Sequence, residues 1–364
     1  MRVKKIICAA LAAIICLMLG VGCSYNPEVV MTIDGTDIPS GLYLFYQQTA
    51  IQEAYTKYIE DEDNEYLSGV QFIDNKSIEI EGVPVRDWID DRTLTLIKEY
   101  VFVENEFDRL GLSFSDNEKS YNDQITSYQW DSLSSLMQKN GIGYESFETA
   151  LNNAYKKAEL LIALYEKGGE LEIPEEDFVE YFEENYTRVD YMQMPTVNAL
   201  TSEPLTEDEI ARIAEIAKQM AEDANGYRGG LETAYFELYG EISAIIGGWE
   251  ELSTEHFNTL VSLDVIVNSE NASLPADFVT GVFEVDAEDN EYKFFQDEET
   301  SITIIYRVNG LHEDDKYDEY ETSIREKLAM DPFKEYIRSK TALMNVDINK
   351  RAKRYYSVDK AMLS

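Results

Sequence analysis

Residues 173–194 read IPEEDFVEYFEENYTRVDYMQM, and the architecture changes within this stretch. Pro174 suits the first turn of a helix, where its missing N–H would be unpaired in any case. The spacing predicts a short acidic helix through Asn185. Arg188 to Met194 then reads as a strand, and Pro195 ends it. Upstream the periodicity is helical; downstream helix and strand are mixed.

Working back from that point, Val29 to Ile33 is expected as a strand, Asp34-Gly35 as a tight turn and Thr36 to Ile38 as the return strand. Ser40 is placed to cap a helix with Leu42, Phe45, Tyr46 and Thr49 on one face. That helix runs out in the acidic stretch Glu60 to Glu65, which lacks the central Gly and distal Glu of a calcium loop. A long helix follows from Pro84 to Leu110, with Gly111 as its stop. Ser115 and Glu118 form a capping box for the next helix, whose apolar positions include Tyr121, Ile125, Tyr128, Leu136 and Met137. Another helix spans Tyr144 to Lys167 and breaks at Gly168-Gly169.

Working forward, Thr206 and Glu209 make a second capping box for a helix reaching Asn225. Six of the 19 glycines fall between Gly226 and Gly248, marking turns. None precedes a Lys-Ser/Thr pair, so they form no phosphate cradle. Ile302 to Val308 reads as a strand buried on both faces. Helices are expected from Asp314 to Ala329 and from Pro332 to Met344, with Asp331 as the second cap. A short strand, Val346 to Ile348, and a basic helix finish the chain. The expected fold class is α+β, mainly helical, with a smaller α+β unit at about 186–310 between helical regions.

The chain has 364 residues, 44% of them hydrophobic, enough for a sizeable core. It carries 71 acidic and 31 basic side chains, a formal charge of −40 that argues against unaided binding to nucleic acid or to an anionic membrane surface. Arg2, Lys4 and Lys5 precede an apolar run, Ile6 to Val21, too short to span a bilayer and shaped as a secretory signal. Gly20-Val21-Gly22-Cys23 resembles the bacterial lipobox, in which the cysteine is lipidated and becomes the new N-terminus. Residues 1–22 hold three basic and no acidic side chains, so their removal takes the formal charge to −43. Cys8 and Cys16 leave with the signal and lipid consumes Cys23, so no disulfide, thiol nucleophile or thiolate metal site is expected.

Several segments resemble the PrsA/SurA-type extracytoplasmic foldases, which are peptidyl-prolyl isomerase-like lipoproteins and periplasmic chaperones. They are VMTIDGTDIPSGLYLFY at 30–46, NGIGYESFETALNNAYKKAELL at 140–161, the 173–194 stretch, and YDEYETSIREKLAMDPFKEYIRSKTALMNVDINKRAKRYY at 317–356. The resemblance implies a chaperone-like domain split between residues 23–185 and 311–364, with a parvulin-like module at 186–310. It further implies partners that are unfolded or partly folded secreted polypeptides, and a location on the outer side of a bacterial membrane.

An active parvulin carries a histidine on its first strand and another on its last, with an Asp or Cys nearby. Tyr191 occupies the first of these places, and the chain has only two histidines, His256 and His312. The isomerase site is therefore expected to be degenerate, and no catalytic residue is assigned. Phe278, Val282, Phe283 and Ile305 are candidates for an apolar peptide-contacting floor. No metal or cofactor is expected, since no HExxH, GxSxG or nucleotide fingerprint occurs. The 25 tyrosines and ten methionines offer adaptable contact surface, which favours a binder. Two alternatives stay open: an active isomerase with an unconventional site, and a solute-binding or adhesive surface lipoprotein.

Overall fold

A computed structural model describes residues 28–60, 67–226, 230–247, 254–297 and 300–360. The signal segment and Cys23 lie outside the described residues. The fold is α+β and mainly helical. The described residues form two compact units, one up to residue 172 together with those from 327 onward, and one from 173 to 326.

The first unit opens with β1 (Val29–Ile33) and β2 (Thr36–Pro39), an antiparallel hairpin. Asp34 and Gly35 both take positive φ, 46° and 87°, as a tight two-residue turn requires. The helix α1 (Ser40–Ile59) follows, with Pro39 at its N-cap and no side-chain cap, so Ser40 is its first residue and does not cap it. Leu42, Tyr43, Tyr46, Ile51 and Ala54 are its buried face. A short α2 (Gly69–Asp74) and the β3 (Glu79–Ile80) and β4 (Val83–Pro84) pair lead into α3 (Val85–Arg109). Gly111, at φ 67°, lies just past its end. The helix α4 (Asp116–Lys139) opens on the Ser115/Glu118 capping box, with both reciprocal bonds present at 2.7 and 3.3 Å. α5 (Tyr144–Tyr165) completes the run.

The second unit contains α6 (Glu175–Asn185), β5 (Tyr186–Gln193), α7 (Glu207–Gly226), α8 (Gly230–Ile246), α9 (Thr254–Leu260), β6 (Val261–Asn268), α10 (Ala276–Glu284), β7 (Lys293–Gln296) and β8 (Thr303–Val308). Its four strands form an antiparallel sheet in the order β6-β5-β8-β7. The Thr206/Glu209 box caps α7, with bonds of 2.8 and 3.4 Å. One sheet face packs on α7 and α8 through Met192, Met194, Ile213, Met220, Tyr235 and Ile305. The other packs on α10 through Val189, Phe278, Val282, Ile304, Tyr306 and Val308.

The units divide at 172/173 and 326/327, whereas the periodicity suggested boundaries at 185/186 and 310/311. Aromatic packing accounts for the difference. Phe178 stacks on Tyr317, and Phe182 stacks on Tyr320 and packs against Tyr186, so α6 and the 317–320 turn belong with the sheet.

Chain 321–341 is one helix, α11 (Glu321–Thr341), with Pro332 inside it. This corrects the expectation of two helices with a cap at Asp331, whose carboxylate instead pairs with Lys334 at 3.0 Å. Pro332 lacks the N–H that would reach Leu328, yet Ala329, Phe333 and Ile337 bury a continuous i, i+4, i+8 stripe through the proline. That shared burial holds the helix together. The chain returns in β9 (Val346–Ile348), which pairs antiparallel with β1 to complete the sheet order β2-β1-β9, and continues through α12 (Lys350–Tyr355) to a single helical turn, Val358–Lys360.

Candidate functional site

The strand β5 places Tyr191 on the α10 side of the sheet. Its register partner on β8 is Tyr306, and on β6 it is Ser262. The ring of Phe278 on α10 lies 6.4 Å from Tyr191, 5.1 Å from Tyr306 and 5.5 Å from Phe295 on β7. Four aromatic rings from four elements therefore meet on one face. Burial raises the Tyr306 pKa, and the Tyr191 hydroxyl makes no hydrogen bond among the described residues. The cluster is aromatic, with no histidine or carboxylate in it.

The expected apolar floor does not assemble as one surface. Phe278 and Val282 are buried, at 1% and 0% exposure, and Phe283 is half-buried against the same cluster. Ile305 belongs to the opposite face, packed with the α7 and α8 core. Neighbouring strand residues point to opposite sides, so Ile305 cannot join its neighbours Ile304 and Tyr306 on the α10 side. The two cavities described in this unit are lined by none of these residues.

The other side of Tyr191's strand carries a polar network. Asp190, 3% exposed, accepts from Arg307 Nη2 at 2.5 Å, the Asp264 backbone N–H at 2.7 Å and Asn309 Nδ2 at 3.1 Å. Arg188 donates from Nε to Asp315 at 2.7 Å and from Nη1 to the Asp264 carbonyl at 2.7 Å. Bonding by Arg188, helped by the His312 backbone N–H, holds the Asp315 pKa down to about 2. Neither Asp190 nor Arg307 stands out from composition, yet VDYM and IIYRV each place one charge inside an apolar strand. Two such charges of opposite sign are the signature of a cross-strand pair. The network pairs charges beside the bulge between Val189 and Tyr191 and leaves the buried Arg307 Nε without a hydrogen-bond partner. His312 borders a shallow cavity of about 420 Å³ beside this network, away from the Tyr191 face. His256 falls in α9.

In the helical unit, α4 packs against the sense of its own sequence. Its buried residues are Asn122, Thr126 and Met137, while Tyr121 and Tyr128 are 63% and 75% exposed. The apolar spacing Tyr121–Ile125–Tyr128 would ordinarily mark a core face. Here two of its three members point to solvent, and Thr126 Oγ1 is buried with no hydrogen-bond partner. Trp130 turns inward, 5.3 Å from Phe147 and 5.5 Å from the partly exposed Tyr144, and Phe147 meets Phe45 at 5.9 Å. An aromatic series thus runs from the core of this unit to its surface.

Among the described residues no group of His, Cys, Asp and Glu could hold a metal ion, and no helix is long and apolar enough to cross a membrane. No family model matches the chain, and no curated protein matches it. The chain is similar to the solved foldase protein PrsA from Streptococcus pneumoniae, at 15% identity and a TM-score of 0.38, covering 79% of this chain and 100% of that one. It is also similar to the foldase protein PrsA from Lactococcus lactis, at 13% identity, TM-score 0.36, and 92% and 100% coverage. A third is the peptidylprolyl isomerase PrsA from Bacillus anthracis, at 14% identity, TM-score 0.26, and 67% and 94% coverage. These neighbours are foldases of the family that the sequence resembles.

Proposed function

We propose that this chain is a membrane-anchored extracytoplasmic foldase-like lipoprotein that holds non-native secreted polypeptides, with a degenerate isomerase site in its sheet unit. The observation that carries the reading is the outward aromatic stripe of α4. A helix that buries Asn122 and Thr126 while exposing Tyr121 and Tyr128 gives up apolar burial that its sequence could have provided. Exposed tyrosines present an apolar ring and a polar tip, so they bury the side chains of many peptides without demanding one geometry. The formal charge of −43 left after residues 1–22 are removed keeps such a surface from self-association.

The degenerate site is supported by what surrounds Tyr191. Rotation about an X-Pro bond has a barrier of roughly 20 kcal/mol, lowered by desolvating or twisting the imide. Tyr191, Tyr306, Phe278 and Phe295 supply apolar contact, and their rings are packed on one another. The lipobox-like Gly20-Val21-Gly22-Cys23 supports the anchor.

The test dilutes a chemically unfolded, proline-limited client into buffer with and without the chain from residue 24 onward, following scattering and refolding fluorescence together. Suppressed scattering with an unchanged slow phase is expected. No suppression at equal molar amounts overturns the holding role, and an accelerated slow phase overturns the degenerate site.

A further inference from the structure

Beyond the signal segment, the densest basic stretch of this acidic chain lies near its C-terminal helix. Residues 350–360 carry Lys350, Arg351, Lys353, Arg354 and Lys360 against a single acid, Asp359. Lys353 turns inward and pairs with Asp90 at 2.9 Å, while Arg86 pairs with Asp74 and Asp359, each at 2.7 Å. Lys350, Arg351 and Arg354 remain exposed on α12 beside the 40% exposed ring of Tyr355. Asp87 and Asp90 are the other carboxylates lining the shallow cavity of about 340 Å³ at this place. Lys350 and Arg354 have no ion-pair partner among the described residues.

The position of this patch follows from β1. The Asn349 backbone N–H bonds the Val30 carbonyl at 3.0 Å, and its Nδ2 reaches the Val29 carbonyl at 3.4 Å. Its side-chain oxygen accepts from Ala352 N–H at 3.1 Å and so caps α12. One asparagine therefore ties the basic helix to the start of the first strand. Val29 is six residues from Cys23, a span of at most about 20 Å.

We infer that the basic segment Lys350–Lys360 docks on anionic phospholipid headgroups and sets which face the protein turns to the membrane. The orientation rests on the anchor reading of Cys23. A lipid there holds the start of β1, and with it the Asn349-tethered basic segment, close to the bilayer. Charge does the rest. At about 0.1 M salt, fields fade over roughly 10 Å, so carboxylates farther from the surface contribute little repulsion. Presenting the basic segment replaces repulsion by attraction at the anchored face.

The lipid-free chain from residue 24 onward, floated with vesicles, tests the patch apart from anchor and client. Binding to phosphatidylcholine vesicles containing one-third phosphatidylglycerol is expected, with none to phosphatidylcholine alone and a steep loss with added salt. At about fivefold per basic residue, K350E/R354E lowers that affinity by 25-fold or more. K334E/R338E reverses two exposed charges elsewhere, 66% and 79% exposed, and changes it less than twofold. Circular dichroism confirms that both variants fold. Absence of phosphatidylglycerol-dependent binding, equal loss in both variants, or preference for soluble polyglutamate over vesicles each overturns the inference. Labelled palmitate incorporation, compared between the full chain and Cys23→Ser, tests the anchor by itself.

Discussion

Tyr191 and Tyr306 sit opposite each other in the antiparallel register of β5 and β8, and both rings close on Phe278 of α10. The pair joins the first and last strands of the sheet unit, where the resemblance places two histidines. Both tyrosines pack on Phe278, and burial raises the Tyr306 pKa above its ordinary value.

Tyr191→Phe removes a hydroxyl that has no hydrogen bond among the described residues. Stability should change by no more than about 0.5 kcal/mol, and the slow refolding phase of a proline-limited client should be the same with either protein. A slower phase with the variant would restore an isomerase role to Tyr191.

Phe278 is the keystone of the aromatic cluster, 1% exposed with three ring neighbours. Phe278→Ala should cost about 3–5 kcal/mol, through lost burial and the cavity left behind. Urea unfolding of the sheet unit, followed by tyrosine fluorescence, reads the change. A cost below about 1 kcal/mol would mean that α10 does not rest on this ring.

The Arg188–Asp315 pair gives a pH signature. Asp315 has a folded pKa of about 2, below its ordinary 3.8, so its stabilisation is fully present above about pH 4. It is lost as pH falls toward 2, when the carboxyl protonates and Arg188 stays charged. Asp315→Asn should lower stability by about 1–3 kcal/mol at pH 7, with the gap from the native chain narrowing below pH 4. Melting temperatures measured from pH 7 to 2.5 check both the size and the slope.

Tyr121→Ser with Tyr128→Ser separates binding from folding. Both residues are exposed, so global stability should hold within about 0.5 kcal/mol. Suppression of client aggregation should weaken several-fold in light scattering. Full suppression by a folded double variant would move the contact surface away from α4.

Much of the architecture is legible because it rests on local rules. Asp34-Gly35 admits a two-residue turn, Ser115 with Glu118 and Thr206 with Glu209 cap helices, and Gly111 follows the end of α3, all within a few residues of chain. The strands β6 and β7 are less legible. β6 alternates poorly, with Leu263 52% exposed, and β7 is only four residues long at a sheet edge. Apolar spacing also misassigns two features. Tyr121 and Tyr128 carry a core pattern but face water, and Ile305 shares a strand with Ile304 and Tyr306 but faces the other way.

By itself the sequence determined the helical content, the switch to strand after Asn185 and the acidic charge, since these depend on composition and on neighbours in the chain. The tertiary structure alone decided which distant residues meet. Ile348 pairs with Met31, Asp190 with Arg307 and Asn349 with Val30, each across more than a hundred residues. It also carried α11 through Pro332, because burial of Ala329, Phe333 and Ile337 outweighs one missing hydrogen bond. Such pairings are chosen by the free energy of the whole core, to which each residue contributes only in the presence of its partners.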